Sequence, residues 1–234
     1  MDAEAFRAWI TSAAAVIEAN RDHLTQLDAA IGDADHGINL ARGFTAVASV
    51  LHAQDRSATA PATPGRILIL TGNTLVSKVG GAAGPLYGMA FCRAGKSLGD
   101  AADVDLPALS AALEAALAGV QKLGAAVEGD KTMVDALAAG NRAFSKAIAE
   151  GASPDEALSV LVQAASAGAV GTIPMQALKG RASYLGPRSV GHEDPGAAST
   201  ALILGALRDA ARTARLPRCG ANRRTWVAQA AHRP

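Results

Sequence analysis

Apolar residues along the chain recur at steps of three and four. In AFRAWITSAAAVIEA, Phe6, Trp9, Ile10, Ala13, Val16 and Ile17 fall on one stripe of a 3.6-residue period, which predicts a helix with one face in a core. The same spacing returns in LARGFTAVASVLHA, GRILILTGNTLVSKV, LPALSAALEAALAGVQKL, TMVDALAAGNRAFSKAIAE, SPDEALSVLVQAASAGAV and PGAASTALILGALRDAARTA. No convincing strand run, alternating apolar and polar positions with period two, is found. The predicted class is therefore all-α, a bundle of about eight helices with short connections.

Several helix starts are written in the sequence. Ser153 precedes Pro154 with Glu156 three residues on, and Asp194 precedes Pro195, the residue types favoured at N-cap and first-turn positions. Asp130, ahead of Thr132, Met133 and Asp135, reads as another cap. Alanine is abundant, which favours helix and close helix approach but gives little buried area per position, so packing must be tight. Between Ala53 and Pro64 the stretch AQDRSATAPATP reads as a surface loop, because helical pattern resumes on both sides. The segment LPRCGANRRTWVAQAAHRP is basic, proline-bounded and without a stripe. The expected organisation is one helical domain over residues 1–215 and a basic tail over 216–234, mobile unless Trp226 docks.

Composition narrows the function. A chain of 234 residues, half of them apolar and 18% charged, can bury a sizeable core and is not of disordered type. A net charge of +1 and 3% aromatics supply neither the field nor the stacking surfaces that nucleic acid needs. Cys92 and Cys219 lie far apart with no CxxC spacing, which suggests neither a disulfide framework nor a zinc site and fits a reducing cytoplasm. No apolar stretch has the length of a membrane span, and MDAEAFRAWI begins acidic where a signal peptide is basic. A cytoplasmic protein is expected.

The stretch most informative about chemistry is LDAAIGDADHGINLARGF. Asp28 ends a helical segment, Gly32 breaks it, and Asp33 and Asp35 follow before Gly37. Carboxylates clustered in one short turn repel unless a hard cation lies between them, and oxygen-only ligands favour magnesium or manganese over zinc. Helix caps and a solvated turn are the alternative. A calcium loop does not fit: counted from Asp33, the glycine position is Ile38 and the bidentate glutamate position is Phe44.

A second constellation, TLVSKVGGAAGPLYGMAF, runs a helix into Gly80, Gly81 and Gly84 and resumes at Pro85. Glycines there let backbone amides approach an anion beside a fresh helix N-terminus, although a tight helix corner explains them equally well. Gly95, Lys96 and Ser97 imitate a P-loop ending, but the first glycine would fall at Ala90 and no strand precedes it. In GDKTMVDAL, Met133 is placed either against a ring-shaped ligand or in the core. TIPMQALKGRASYLGPRSVGHEDPGAAS offers the cations Lys179, Arg181 and Arg188, each a candidate for an anion or an ordinary surface ion pair. His36 and His192 are candidate acid–base groups or hydrogen-bonding spacers.

Taken in order, GDADHG, VGGAAGPLYG, GDKTM and GRASYLGPRSVGHEDPGA resemble the L subunit family of dihydroxyacetone kinases, from about Trp9 to about Leu207. The resemblance implies a closed barrel of eight antiparallel helices holding ADP or ATP and two Mg2+ at one end. It implies Asp28, Asp33 and Asp35 as metal ligands. For the nucleotide it implies His36, Gly37, Ile38 and Asn39, with Ala82, Ala83, Gly124, Met133, Arg181 and Asp194. Three carboxylates and a diphosphate bring about six negative charges, which two Mg2+ offset to within about two.

One branch of that family exchanges ATP as a substrate; the other keeps ADP as a cofactor, recharged by a phosphotransferase-system phosphocarrier. The GDADHG and GHEDPG wording, and a chain without an attached sugar-binding domain, resemble the second. The implied partners are a sugar-binding K subunit and that phosphocarrier, with a homodimer left open; no membrane and no nucleic acid is expected, and no covalent nucleophile from this chain. An ATP-dependent ketose or sugar-alcohol kinase and a nucleotide-loaded coregulator of a transcription factor stand as alternatives. Ala83 occupies a position where the family commonly carries serine.

Overall fold

The computed structural model describes residues 1–55 and 63–215. The expectations for a loop over most of 53–64 and for the tail at 216–234, including a docked Trp226, lie outside these residues. Nine α-helices are described: α1 (Ala3–Ala19), α2 (Arg21–Ile31), α3 (His36–Asp55), α4 (Pro64–Lys78), α5 (Ala83–Leu98), α6 (Leu106–Gly124), α7 (Met133–Ala149), α8 (Pro154–Gly171) and α9 (Pro195–Arg215). A 3-10 segment, Arg181–Ser189, interrupts the long α8–α9 connection. Among the described residues, β-type pairing is limited to one isolated bridge between Asp2 and Asp103.

Each long helix packs against the next in the cycle α1, α3, α4, α5, α6, α7, α8, α9 and back to α1, so eight helices close into a ring. The short α2 stands outside the cycle, against α3, α9 and the 3-10 segment. Phe6, Trp9, Ile10, Ala13 and Ile17 of the first stripe are buried with Leu40, Phe44, Leu75, Phe91, Val120, Leu137, Phe144, Leu161 and Leu207 in one cluster. Trp9 also ties the two ends of the ring together: its indole Nε1 donates to the carbonyl of Ile203 at 2.9 Å.

Small residues make the tightest seam. A Cβ on Gly72 would lie 2.6 Å from the carbonyl oxygen of Gly88, and one on Gly95 would lie 2.5 Å from that of Gly65. Helices α4 and α5 therefore run at backbone contact, which is how an alanine- and glycine-rich sequence reaches close packing with little side-chain volume.

The helix starts follow the caps. Ser153 accepts from the Glu156 amide while Glu156 reaches back to the Ser153 amide. The Asp194 carboxylate accepts from Ala197 N at 2.7 Å at the head of α9. For α7 the reading of Asp130 as the cap is corrected: Thr132 is the N-cap, boxed with Asp135. Lys131 takes a left-handed φ of +62°, which turns the chain between Asp130 and the helix, so Asp130 accepts from Val127 N instead.

Candidate functional site

At one end of the ring lies a cleft of about 380 Å3. Its lining comes from the starts of α3, α5, α7 and α9, the ends of α2 and α6, the Val79–Ala82 corner after α4 and the loop after α8. Around the ring, then, helices alternate in direction, and four N-termini meet at the cleft. The positive ends of four helix dipoles, with the head of α5 free of any side-chain cap, make this a place where negative charge is stabilised.

On one side stands the acidic turn. The α2 helix stops at Gly32 because Asp28 folds over it: a Cβ there would lie 2.0 Å from Asp28 Oδ1. The Asp28 carboxylate is buried, and its Oδ2 accepts from the amides of Asp35 at 2.8 Å and His36 at 3.1 Å, which binds the turn to the head of α3. Ala34 closes the turn at φ +61°, a conformation that costs a non-glycine residue on the order of 1 kcal/mol and persists where the surroundings enforce it. Carboxylate oxygens of Asp28, Asp33 and Asp35 then come within 4.8 Å of one another. Arg181, from the 3-10 segment, pairs with Asp33 at 3.0 Å and lends the cluster one cation.

The glycine corner also lines the cleft, with Gly80, Gly81, Ala82 and Ala83, and Gly80 lies against Asn39 of α3. Gly81 has φ +65° and open space where a Cβ would stand, so the chain there presents backbone to the cleft. An apolar wall continues from it: Leu86, Val120, Leu123, Gly124, Ala126 and Met133, from α5, α6, the α6–α7 connection and α7. The cleft thus has a charged, amide-lined side and an apolar side of the kind that receives a flat ring.

Two buried polar systems support the floor. The Lys131 side chain is 1% exposed and its ammonium donates to the carbonyls of Thr172, at 2.6 Å, and His192, fastening the α8–α9 loop to the head of α7. Burial lowers the pKa of that ammonium, while the Asp194, Asp135 and Glu193 carboxylates pull the other way. Beside it, burial pushes the Asp194 carboxyl up to about 7, against the Ala197 amide and Lys131, which favour its charged form. In the second system His36 Nε2 meets Ser199 Oγ at 2.9 Å, and Ser199 and Thr200 meet the Tyr87 hydroxyl at 2.7 and 2.8 Å. Burial lowers the pKa of His36 and raises that of Tyr87, so both are held neutral.

The DAK2 domain pattern matches residues 30–209. The chain belongs to the DAK2 domain family. By that membership it is a phosphotransferase component, a kinase subunit. It is 41% identical, over 87% of its length and 93% of the relative's, to the ADP-binding subunit DhaL of PEP-dependent dihydroxyacetone kinase 2 of Listeria innocua. It is 40% identical, over 87% of its length and 95% of the relative's, to the corresponding subunit of Escherichia coli K12. Rat triokinase/FMN cyclase is 37% identical over 82% of this chain, which spans 32% of that protein. The crystal structure of the dihydroxyacetone kinase of C. freundii superposes with a TM-score of 0.66 at 28% identity, over 87% of this chain. Its complex with AMP-PNP and Mg2+ gives 0.64 at 30% identity over the same share. This chain spans about a third of the length of that kinase.

Of the residues singled out in the sequence of this DAK2 domain, Asp28, Asp33, Asp35, His36, Asn39, Ala82, Ala83, Gly124, Met133, Arg181 and Asp194 all line the cleft. Gly37 and Ile38 do not. Gly37 is where α3 passes over α2, with Arg21 O 2.0 Å from a Cβ placed there, and Ile38 faces away with half its surface exposed. Among the cations Lys179 reaches the cleft and Arg188 does not. Lys131, Tyr87 and the other four residues of the apolar wall, Leu86, Val120, Leu123 and Ala126, were not among those singled out. Lys131 stands inside GDKTM and Tyr87 inside the glycine constellation, but burial of either polar group has no marker in the sequence.

Proposed function

We propose that this chain is the nucleotide-bearing subunit of a dihydroxyacetone-type kinase: it holds ADP with two Mg2+ in the cleft, and the phosphoryl group carried there passes to a ketose bound on a partner K subunit. The observation that supports this best is the convergence of Asp28, Asp33 and Asp35 within 4.8 Å beside a glycine corner and four helix N-termini. Hard oxygen donors, a buried Asp28 with one oxygen fastened by amides, and a Gly32 that leaves its other oxygen clear fit magnesium, with Asp28, Asp33 and Asp35 as the ligands. Bound there, the metal ions would offset the charge of the phosphates and of the group in transfer.

The chain's own groups supply binding and orientation. Amides at the head of α5, around Ala82 and Ala83, offer N–H donors to phosphate, and Arg181 stands where it can reach both Asp33 and an anion. Leu86, Leu123, Gly124 and Met133 form the wall suited to an adenine. Lys131 and Asp194 hold the loop after α8 over the floor, and His36 is oriented by Ser199. None of these groups is placed as a nucleophile, so the chemistry asks of this chain alignment and charge compensation.

Identity of about 40% to PEP-dependent subunits supports a phosphocarrier over free ATP as the phosphoryl source. With Mg2+ present, ADP at 100 times its dissociation constant raises stability by about 2.7 kcal/mol, and in chelator this rise disappears. Equal stabilisation in both buffers would refute a metal-bridged site. Protein loaded with labelled ADP should also keep its label through repeated turnover with K subunit, ketose and phosphocarrier. Rapid loss of label with turnover on ATP alone would establish the ATP-dependent reading.

A further inference from the structure

We propose that Arg42 is a positioning residue of the nucleotide site: from outside the cleft it locks the Asn39 side-chain amide so that its N–H groups face the glycine corner. The proposal rests on the reading of the cleft as a nucleotide site. Arg42 lies one turn beyond Asn39 on α3, is exposed, and is not part of the cleft lining. Its Nη2 donates to Asn39 Oδ1 at 2.8 Å, and its Nε donates to the carbonyl of Lys78, the last residue of α4, at 3.2 Å. Backbone proximity makes that reach possible. At the neighbouring Gly43 a Cβ would lie 2.1 Å from Val79 Cγ2, so α3 passes the end of α4 at contact distance.

The direction of the lock follows from donor chemistry. Guanidinium groups have donors only, so Arg42 can face the amide by its oxygen alone, and Nδ2 is turned the other way. Asn39 is 8% exposed, and no acceptor for its Nδ2 is found among the described residues. The point where Gly80 would carry a Cβ is 3.6 Å from that Nδ2 and 3.7 Å from both Asn39 Oδ1 and Arg42 Nη2, so the whole amide stands against the glycine corner and the bond to Arg42 decides which end is free. Both Asn39 and Gly80 line the cleft, so the free amide donors stand at its glycine corner.

Rotation about the last torsion of asparagine is broad and close to two-fold. Released from Arg42, the amide can turn and present its oxygen, an acceptor, to an anion that needs donors. Tethering by Nε to Lys78 fixes the guanidinium itself, a geometry that a lysine's single ammonium does not reproduce. Exposed charge contacts contribute little to stability, so the lock has little structural worth of its own.

The test is a double-mutant cycle on Mg·ADP affinity, measured by calorimetry on the full chain. Arg42→Met is expected to weaken binding about tenfold with an unchanged melting temperature in the absence of ligand. Asn39→Ala should weaken it at least as much, and the double variant no further than Asn39→Ala alone. Arg42→Lys keeps the charge and should stay weak. Multiplying losses in the double variant, full affinity in Arg42→Met or rescue by Arg42→Lys would each overturn the positioning role. Should Arg42→Met fail to fold, the same cycle with Arg42→Lys decides. Wild-type protein that bound no Mg·ADP would instead overturn the nucleotide reading.

Discussion

Asp194 shows how much a single residue can carry at this site. Its carboxylate caps α9, lines the cleft and stands half-buried near Lys131, and desolvation pushes its carboxyl from the ordinary 3.8 up to about 7. A raised carboxyl pKa stabilises the fold fully below the unfolded value and loses that contribution as pH rises through the folded one. Between pH of about 4 and 7 the ligand-free protein should therefore lose about 1.4 kcal/mol per pH unit through this group. Asp194→Asn keeps a capping oxygen and removes the ionisation. Denaturant unfolding in chelator at pH 5 and pH 7 should show the variant gaining on wild type by roughly 2 to 3 kcal/mol across that interval. For the acidic turn, Asp33→Asn preserves shape while deleting charge, and should lower Mg·ADP affinity by at least tenfold with the helical signal intact. An unchanged, magnesium-dependent affinity would return Asp33 to an ordinary ion pair with Arg181.

Elements explain which parts of the molecule were legible in the chain. Stripes such as Phe6, Trp9, Ile10 and Ile17 report a helix and its buried face because burial and the 3.6 period are both local properties. The boxed cap at Ser153 is read for the same reason, since both partners lie within one turn. At the head of α7 that rule misfired. Asp130 has the right chemistry, but the left-handed Lys131 moves the helix start to Thr132, and a positive φ at lysine has no sequence signature. Partnerships between distant elements were invisible: His36 with Ser199, Lys131 with the carbonyls of Thr172 and His192, Arg42 with Lys78. The glycine seam of α4 and α5 belongs to the same class. Gly72 and Gly88 look like weak helix positions until the two backbones are seen in contact, and Gly72→Ala should then cost 1 to 3 kcal/mol, about the penalty of overpacking, where helix propensity alone would give a gain of about 1. Denaturant unfolding of that variant decides which term wins.

The whole molecule sets the response to ligand. Because α3, α5, α7 and α9 come from all round the ring and start at one cleft, a ligand seated there touches four of its eight staves at once. Amide hydrogen exchange should slow in the first turns of all four helices when Mg·ADP binds, with little change at their far ends. Protection confined to α2 and α3 would mean that the metal turn binds alone. No described helix is long and apolar enough to cross a membrane.

Ring closure has a consequence in time. The seam between α1 and α9, with the Trp9 indole on the carbonyl of Ile203, joins the earliest part of the described chain to the latest. A polypeptide emerging from the ribosome must therefore carry α1 with its apolar stripe uncovered on the α9 side until almost the entire domain has been made. The cleft is equally late, since Asp194 and Ser199 arrive with the final helix. A nascent chain stalled before residue 195 should engage holdase chaperones and ignore Mg·ADP, and one released past residue 215 should do neither.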